Sequence, residues 1–182
     1  MFRISILPMC FFLLASHSLQ QTAAVTGEDM VDWSVTRRLH WSDYKGSPDP
    51  NSDAAASTTT VIGVDYKIGR RDFSYTIQCR FSRDKSWGLH KTTYILQHEQ
   101  GHFDIAEVYA RKLNEALHNY DFNYGTYNRD LNQIYNRIMR EKENKQNQYD
   151  RETNHSIKKD KQIEWLGRIE QMLDETVAWS DY

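Results

Sequence analysis

His98-Glu99-Gln100-Gly101-His102 is the stretch whose residue types and spacing could do chemistry. It is an H-E-x-x-H sequence. On a helix, two histidines four residues apart project from one face, one turn apart. Their ring nitrogens can then reach one zinc ion at about 2.0–2.1 Å. Glu99 lies beside the first histidine, placed to take a proton from a zinc-activated water as general base. At average composition such a pattern arises by chance in about one chain in a hundred of this length. The bland alternative is a surface helix carrying two solvated histidines.

The surroundings are helical. From Thr92 to Leu117 there is no proline and one glycine, Gly101. Ile95, Ala106, Tyr109, Leu113 and Leu117 recur at helical intervals. A catalytic zinc also needs a third protein ligand and an open position. Asp104 and Glu107 sit about 200° and 140° around the helix from His102, so they point away from the metal. Position 108, where one large zinc-protease class has a histidine, is Val108. Two downstream candidates remain. Asp121 follows His102 after 18 intervening residues, in a turn rich in Asn, Asp and Tyr. His155 lies in Tyr149-Asp150-Arg151-Glu152-Thr153-Asn154-His155-Ser156, just before a helical pattern. Either could instead be incidental, Asp121 as a turn residue and His155 beside a helix cap.

The elements that position these residues follow from periodicity. Trp33, Val35, Arg37, Leu39 and Trp41 alternate like a strand, and Ser42 to Ala56 reads as a long loop. Ile62, Val64, Tyr66 and Ile68, then Phe73, Tyr75, Ile77, Cys79 and Phe81, predict an antiparallel hairpin turning at Gly69–Asp72. Cys79 falls on its apolar face as a small buried hydrophobe. A second helix is predicted from about Asp130 to Gln146 and a third from about Lys158 to Ala178. The fold class is α+β: a small antiparallel sheet of about three strands, then three helices packed on it, the first a zincin-like active-site helix.

Composition bounds the function. The 182 residues suffice for one domain with a real core. Arg3, the 12-residue apolar run Ile4–Ala15 and small residues at Ser16-His17-Ser18 predict a signal peptide over residues 1–18. A polar, flexible leader covers 19–32, and 33–182 form a single domain. The run is too short to span a membrane. Leu7-Pro8-Met9-Cys10 is a poor lipoprotein box, so lipidation is not expected. Without Arg3 there are 22 basic residues against 25 acidic, a net charge of −3. That gives no basic surplus for nucleic acid or anionic lipid. Cys79 alone remains after cleavage, so no internal disulfide is expected. The product should be secreted or periplasmic.

Three stretches resemble a bacterial family known as domain of unknown function 922, described as predicted secreted zinc-dependent proteases. They are Leu39-His40-Trp41-Ser42-Asp43-Tyr44-Lys45-Gly46, the run His98 to Leu113, and Tyr149–Ser156. The resemblance implies a metallohydrolase role for His98, Glu99 and His102, and His155 as third zinc ligand. In that setting Tyr149 would donate to the developing oxyanion and Asp150 would orient a ligand imidazole. The family's third segment continues His-Gly, whereas this chain has His155-Ser156. The reading is a secreted zinc-dependent peptidase acting on a peptide or protein. The alternative is a non-catalytic, zinc-stabilised binding module of the cell envelope.

Overall fold

The predicted hairpin is the spine of the sheet. In the computed structural model, which describes residues 29–182, β1 (Met30–Asp32), β2 (Ala56–Ser57), β3 (Thr60–Ile68), β4 (Phe73–Ser82) and β5 (Trp87–Gly88) precede all the α-helices. β3 and β4 pair antiparallel with Ile62 opposite Cys79, Val64 opposite Ile77 and Tyr66 opposite Tyr75. Gly69 N–H donates to the Asp72 carbonyl across the turn. β1 pairs with the other edge of β4, giving the order β1-β4-β3, and β2 with β5 forms a separate two-stranded sheet. The predicted signal peptide and the predicted leader as far as residue 28 lie outside the described residues.

Period-two patterning buries one face of this sheet: Ile62, Val64, Ile77, Cys79 and Phe81 join the core. Burial pushes the Cys79 thiol well up, as suits an inert core residue. The face is covered by α1 (Thr93–His118), which touches β3, β4 and two further helices, α2 (Tyr127–Thr153) and α3 (Lys159–Glu175). Thr92 caps α1, its hydroxyl accepting from Ile95 N–H at 3.2 Å. With neighbours on several sides, α1 is buried at every position from His98 to Arg111 except His102. Phe103, Ile105, Val108 and Leu113 are fully buried, each contributing about 1.5–3 kcal/mol of transfer free energy. The architecture is α+β, three helices following a small antiparallel sheet.

Three expectations change. The alternation from Trp33 to Trp41 makes no strand. Only Met30–Asp32, assigned to the leader, joins the ladder. Trp33–Leu39 crosses α1 instead, held by side chains: Trp33 Nε1 and Arg38 donate to Asp104, and Leu39 N–H donates to Gln100 Oε1 at 2.7 Å. Asp104 is therefore buried and bonded on the far side of α1 from the histidines. Second, the long loop ends in the short strand β2. Third, α2 runs seven residues past Gln146 to Thr153.

Candidate metal centre

His98 and His102 lie in the second and third turns of α1, and their imidazoles converge. Nε2 of one is 3.2 Å from Nε2 of the other. The third member of the cluster comes from α2. Asp150 Oδ1 stands 3.1 Å from His98 Nε2 and 3.0 Å from His102 Nε2. Among the described residues, His98, His102 and Asp150 form the one group of His, Cys, Asp or Glu side chains that could hold a metal ion. The spacing fits. Two donors each about 2.0–2.1 Å from one zinc ion at a tetrahedral angle stand about 3.3 Å apart. Two imidazoles and one carboxylate also form a donor set typical of a catalytic zinc with an open position.

The supports are built into α2. Gln146, one turn before Asp150, grips His102 twice: its Oε1 accepts from Nδ1, and its Nε2 donates to the His102 carbonyl at 2.9 Å. That bond holds a proton on Nδ1 and turns Nε2 towards the cluster. Tyr149 is fully buried and stacks on His98, with ring centroids 4.4 Å apart. Gly101 makes this approach possible, since a Cβ there would lie 2.7 Å from the Tyr149 hydroxyl oxygen. The spacing of Gln146, Tyr149, Asp150 and Thr153 at helical intervals puts all four on one face of α2.

Charge and burial act differently on the two histidines. Burial pulls His98 below its ordinary pKa, outweighing the bond to Asp150. For His102 burial pulls the same way, but the hydrogen bond and charge of Asp150 prevail and raise it. Burial would raise Asp150; its bonds to His102 and His98 hold it well below the carboxylate range instead. Glu99 is buried beside the cluster, and its Oε2 has no hydrogen-bond partner among the described residues.

Not every residue read from the sequence arrives where expected. His155 lies at the rim, its side chain 68% exposed and its Nδ1 3.7 Å from Asp150 Oδ1. Asp150, expected to orient a ligand imidazole, instead stands with the two histidines in the group that could hold an ion. Tyr149 does not face the cleft as an oxyanion donor, because its hydroxyl donates to the His98 carbonyl at 3.3 Å. Asp121 is exposed beyond the far end of α1; the helix from His102 to His118 alone spans about 24 Å. Gln146 is not among the residues that the motif singles out; its i, i+4 relation to Asp150 is the signal that points to it. Asn154, His155 and Ser156 all have positive φ, at 49°, 51° and 70°. Such backbone costs about 1–2 kcal/mol per non-glycine residue, and Ser156 occupies the position where the resembled segment carries glycine.

The first motif stretch lies behind the cleft. Tyr44 is buried with its hydroxyl 2.9 Å from Thr58 Oγ1. Asp43 takes Arg37 at 2.8 Å and Arg83 at 3.0 Å. Gly46 and Gly88 each allow a close approach, of the Asp84 carbonyl and the Trp41 ring. The cleft itself, about 570 Å³, runs between residues 54–60 on one side and α2 on the other, with His98, Glu99 and His102 among its lining.

An α+β fold with a two-histidine, one-aspartate cluster open to a cleft is the class that fold and site define. The chain belongs to the family described as bacterial protein of unknown function (DUF922), whose model matches residues 17–156. That match takes in all three motif stretches and the whole cluster. No curated protein and no solved structure matches the chain.

Proposed function

We propose that this protein is a secreted or periplasmic zinc-dependent peptidase. The observation that carries the reading is the triangle of His98, His102 and Asp150 donor atoms, 3.0–3.2 Å on each edge, with the buried Glu99 carboxylate beside it. The Met1–Ser18 pattern supports the location, and no described helix is long and apolar enough to cross a membrane.

His98, His102 and Asp150 would hold the ion, with Gln146 and Tyr149 fixing the imidazoles. Zinc at this position supplies Lewis-acid polarisation of the scissile carbonyl and a water of lowered pKa. Glu99 takes one proton from the attacking water. The water oxygen bonds to the carbonyl carbon, the C–N bond breaks, and Glu99 passes the proton to the leaving amine. The products are a carboxylic acid and an amine. A peptide substrate suits the cleft wall: among the described residues β2 is paired on one edge only, with β5, and borders the cleft. An extended chain can add to such an edge through main-chain hydrogen bonds.

The test is turnover of a diverse peptide library by the purified, zinc-loaded chain, with and without chelator. Glu99→Gln should keep the zinc and lose about 10²–10⁴-fold in rate. The competing reading is a non-catalytic zinc-stabilised module, in which His155, 3.7 Å from Asp150, closes the fourth position. Full zinc content with no hydrolysis of any peptide favours that module. Loss of zinc in Glu99→Gln would make Glu99 structural.

A further inference from the structure

Lys142 belongs to neither the donor set nor the hydrophobic core. It lies on α2 one turn before Gln146 and two before Asp150, so the three share one helix face. It lines the same cleft as His98, Glu99 and His102. The side chain is half-buried, yet its ammonium makes no ion pair among the described residues. Burial draws it below its ordinary pKa, with the adjacent Glu143 only partly offsetting this. A half-buried charge normally has a partner. Other charged residues lining the cleft are the acids Asp49, Glu99, Glu143 and Asp150; Lys142 is the one lysine or arginine among the described lining residues. Away from the metal cluster and its histidines, an anionic group entering this cleft is repelled by these acids and attracted at one point. That kind of complementarity sets register.

We propose that Lys142 is a specificity residue that receives a carboxylate of the bound peptide, from an acidic side chain or from a free C-terminus. Eight residues of helix separate it from Asp150, about 12 Å along the axis. At about 3.3 Å per extended residue, and allowing for the reach of the lysine, the carboxylate falls about two to four residues from the bond cut. That distance rests on the peptidase reading; the carboxylate preference does not.

The experiment uses binding rather than turnover. Zinc-loaded Glu99→Gln protein is titrated calorimetrically with peptides of one length: a neutral, amide-capped reference, the same peptide with one Glu scanned along it, and the reference with a free C-terminal acid. At least one carboxylate peptide should bind about tenfold more tightly than the reference. The advantage should vanish when Lys142→Gln or Lys142→Met is added, and Lys142→Glu should turn the preference to a peptide carrying Lys. Zinc content checks that each variant is folded. The Glu and free-acid arms tell the two sources apart. A carboxylate advantage that is absent or survives in both neutral variants overturns the proposal, as does a failure of every peptide to bind. Wild-type turnover of the same peptides is scored separately: binding preference without cleavage sinks only the peptidase reading, and cleavage without preference sinks only the role of Lys142.

Discussion

Asp150 is a short side chain asked to hold two imidazoles, and its variants should separate the candidate donors. Asp150→Ala removes an atom within 3.1 Å of both Nε2 nitrogens. It should lower zinc affinity more than about 100-fold, beyond the 10–100-fold usual for an outer supporting residue. Gln146→Ala, which frees His102, should fall in that 10–100-fold range. His155→Ala and Asp121→Ala should change affinity little. Competition with a chelating dye ranks the four; a His155→Ala loss as deep as that of Asp150→Ala would return His155 to the donor set. The pH dependence belongs to the same residues. Zinc needs both imidazoles unprotonated. His98 titrates below its ordinary value and His102 above it. Near pH 6.5, one of the two is therefore protonated in the metal-free protein, and about one proton should leave per zinc bound. Affinity should keep rising above pH 6.5 until His102 has lost its proton. In the metal-free protein the raised His102 stabilises below pH 6.5 and loses that contribution as pH rises through its folded value, whereas the lowered His98 costs stability as pH falls below 6.5. The metal-free protein should therefore be most stable near pH 6.5, and the difference between melts with and without zinc should grow from pH 5.5 to 7.5. A flat series would mean that His102 does not bind the ion.

At the scale of the element, α1 and α2 meet through Gly101. Alanine is the better helix former by about 1 kcal/mol, so an open site would gain stability from Gly101→Ala. Here the added methyl meets the Tyr149 ring, which is held between His98 at 4.4 Å and Trp165 at 5.4 Å. Gly101→Ala should instead destabilise by about 1–3 kcal/mol, as overpacking does, and weaken zinc binding with it. Denaturant unfolding with and without zinc checks both; a gain in stability with zinc intact would show a loose contact. The same interface explains what was legible in the sequence. α1 and the β3–β4 hairpin announce themselves because their buried faces are apolar and periodic. The C-terminal part of α2 buries or half-buries Gln146, Tyr149, Asp150 and Thr153 against the site, so its periodicity is polar and an apolar-stripe reading ends near Gln146. Periodicity alone therefore puts Asp150 in a break between helices, and the resemblance favours His155, which does follow the helix, as a donor. The Trp33–Trp41 alternation misled in the opposite way. It reflects contacts across a helix, with Val35 exposed, and not a pleated pair.

At the scale of the molecule, the described residues hold no disulfide, and Cys79 is a free, buried thiol. Stability rests on the core between the sheet and α1, while the candidate metal cluster spans a different seam, from α1 to α2. α3 is fastened to that same seam: Trp165 Nε1 donates to Glu152 at 2.8 Å, Gln162 Nε2 to the Tyr94 carbonyl at 3.0 Å, and Tyr94 to the Ser156 carbonyl at 2.7 Å. Zinc removal therefore should not unfold the chain as it would a small zinc finger. It leaves Asp150 beside two imidazoles whose shared proton depends on pH, and it loosens whatever α2 holds. In hydrogen exchange, chelation should speed the amides of residues 143–158, and to a lesser degree those of early α3. Residues 103–117 of α1 and the β3–β4 ladder should keep their protection. The strained turn at Asn154–Ser156 should respond most, since three left-handed non-glycine residues persist only while their surroundings hold them. If α1 and the ladder lost protection in step with α2, the ion would be supporting the core itself. If no segment changed, the α1–α2 seam would be closed by Tyr149, Gln146 and Gly101 without help from a metal.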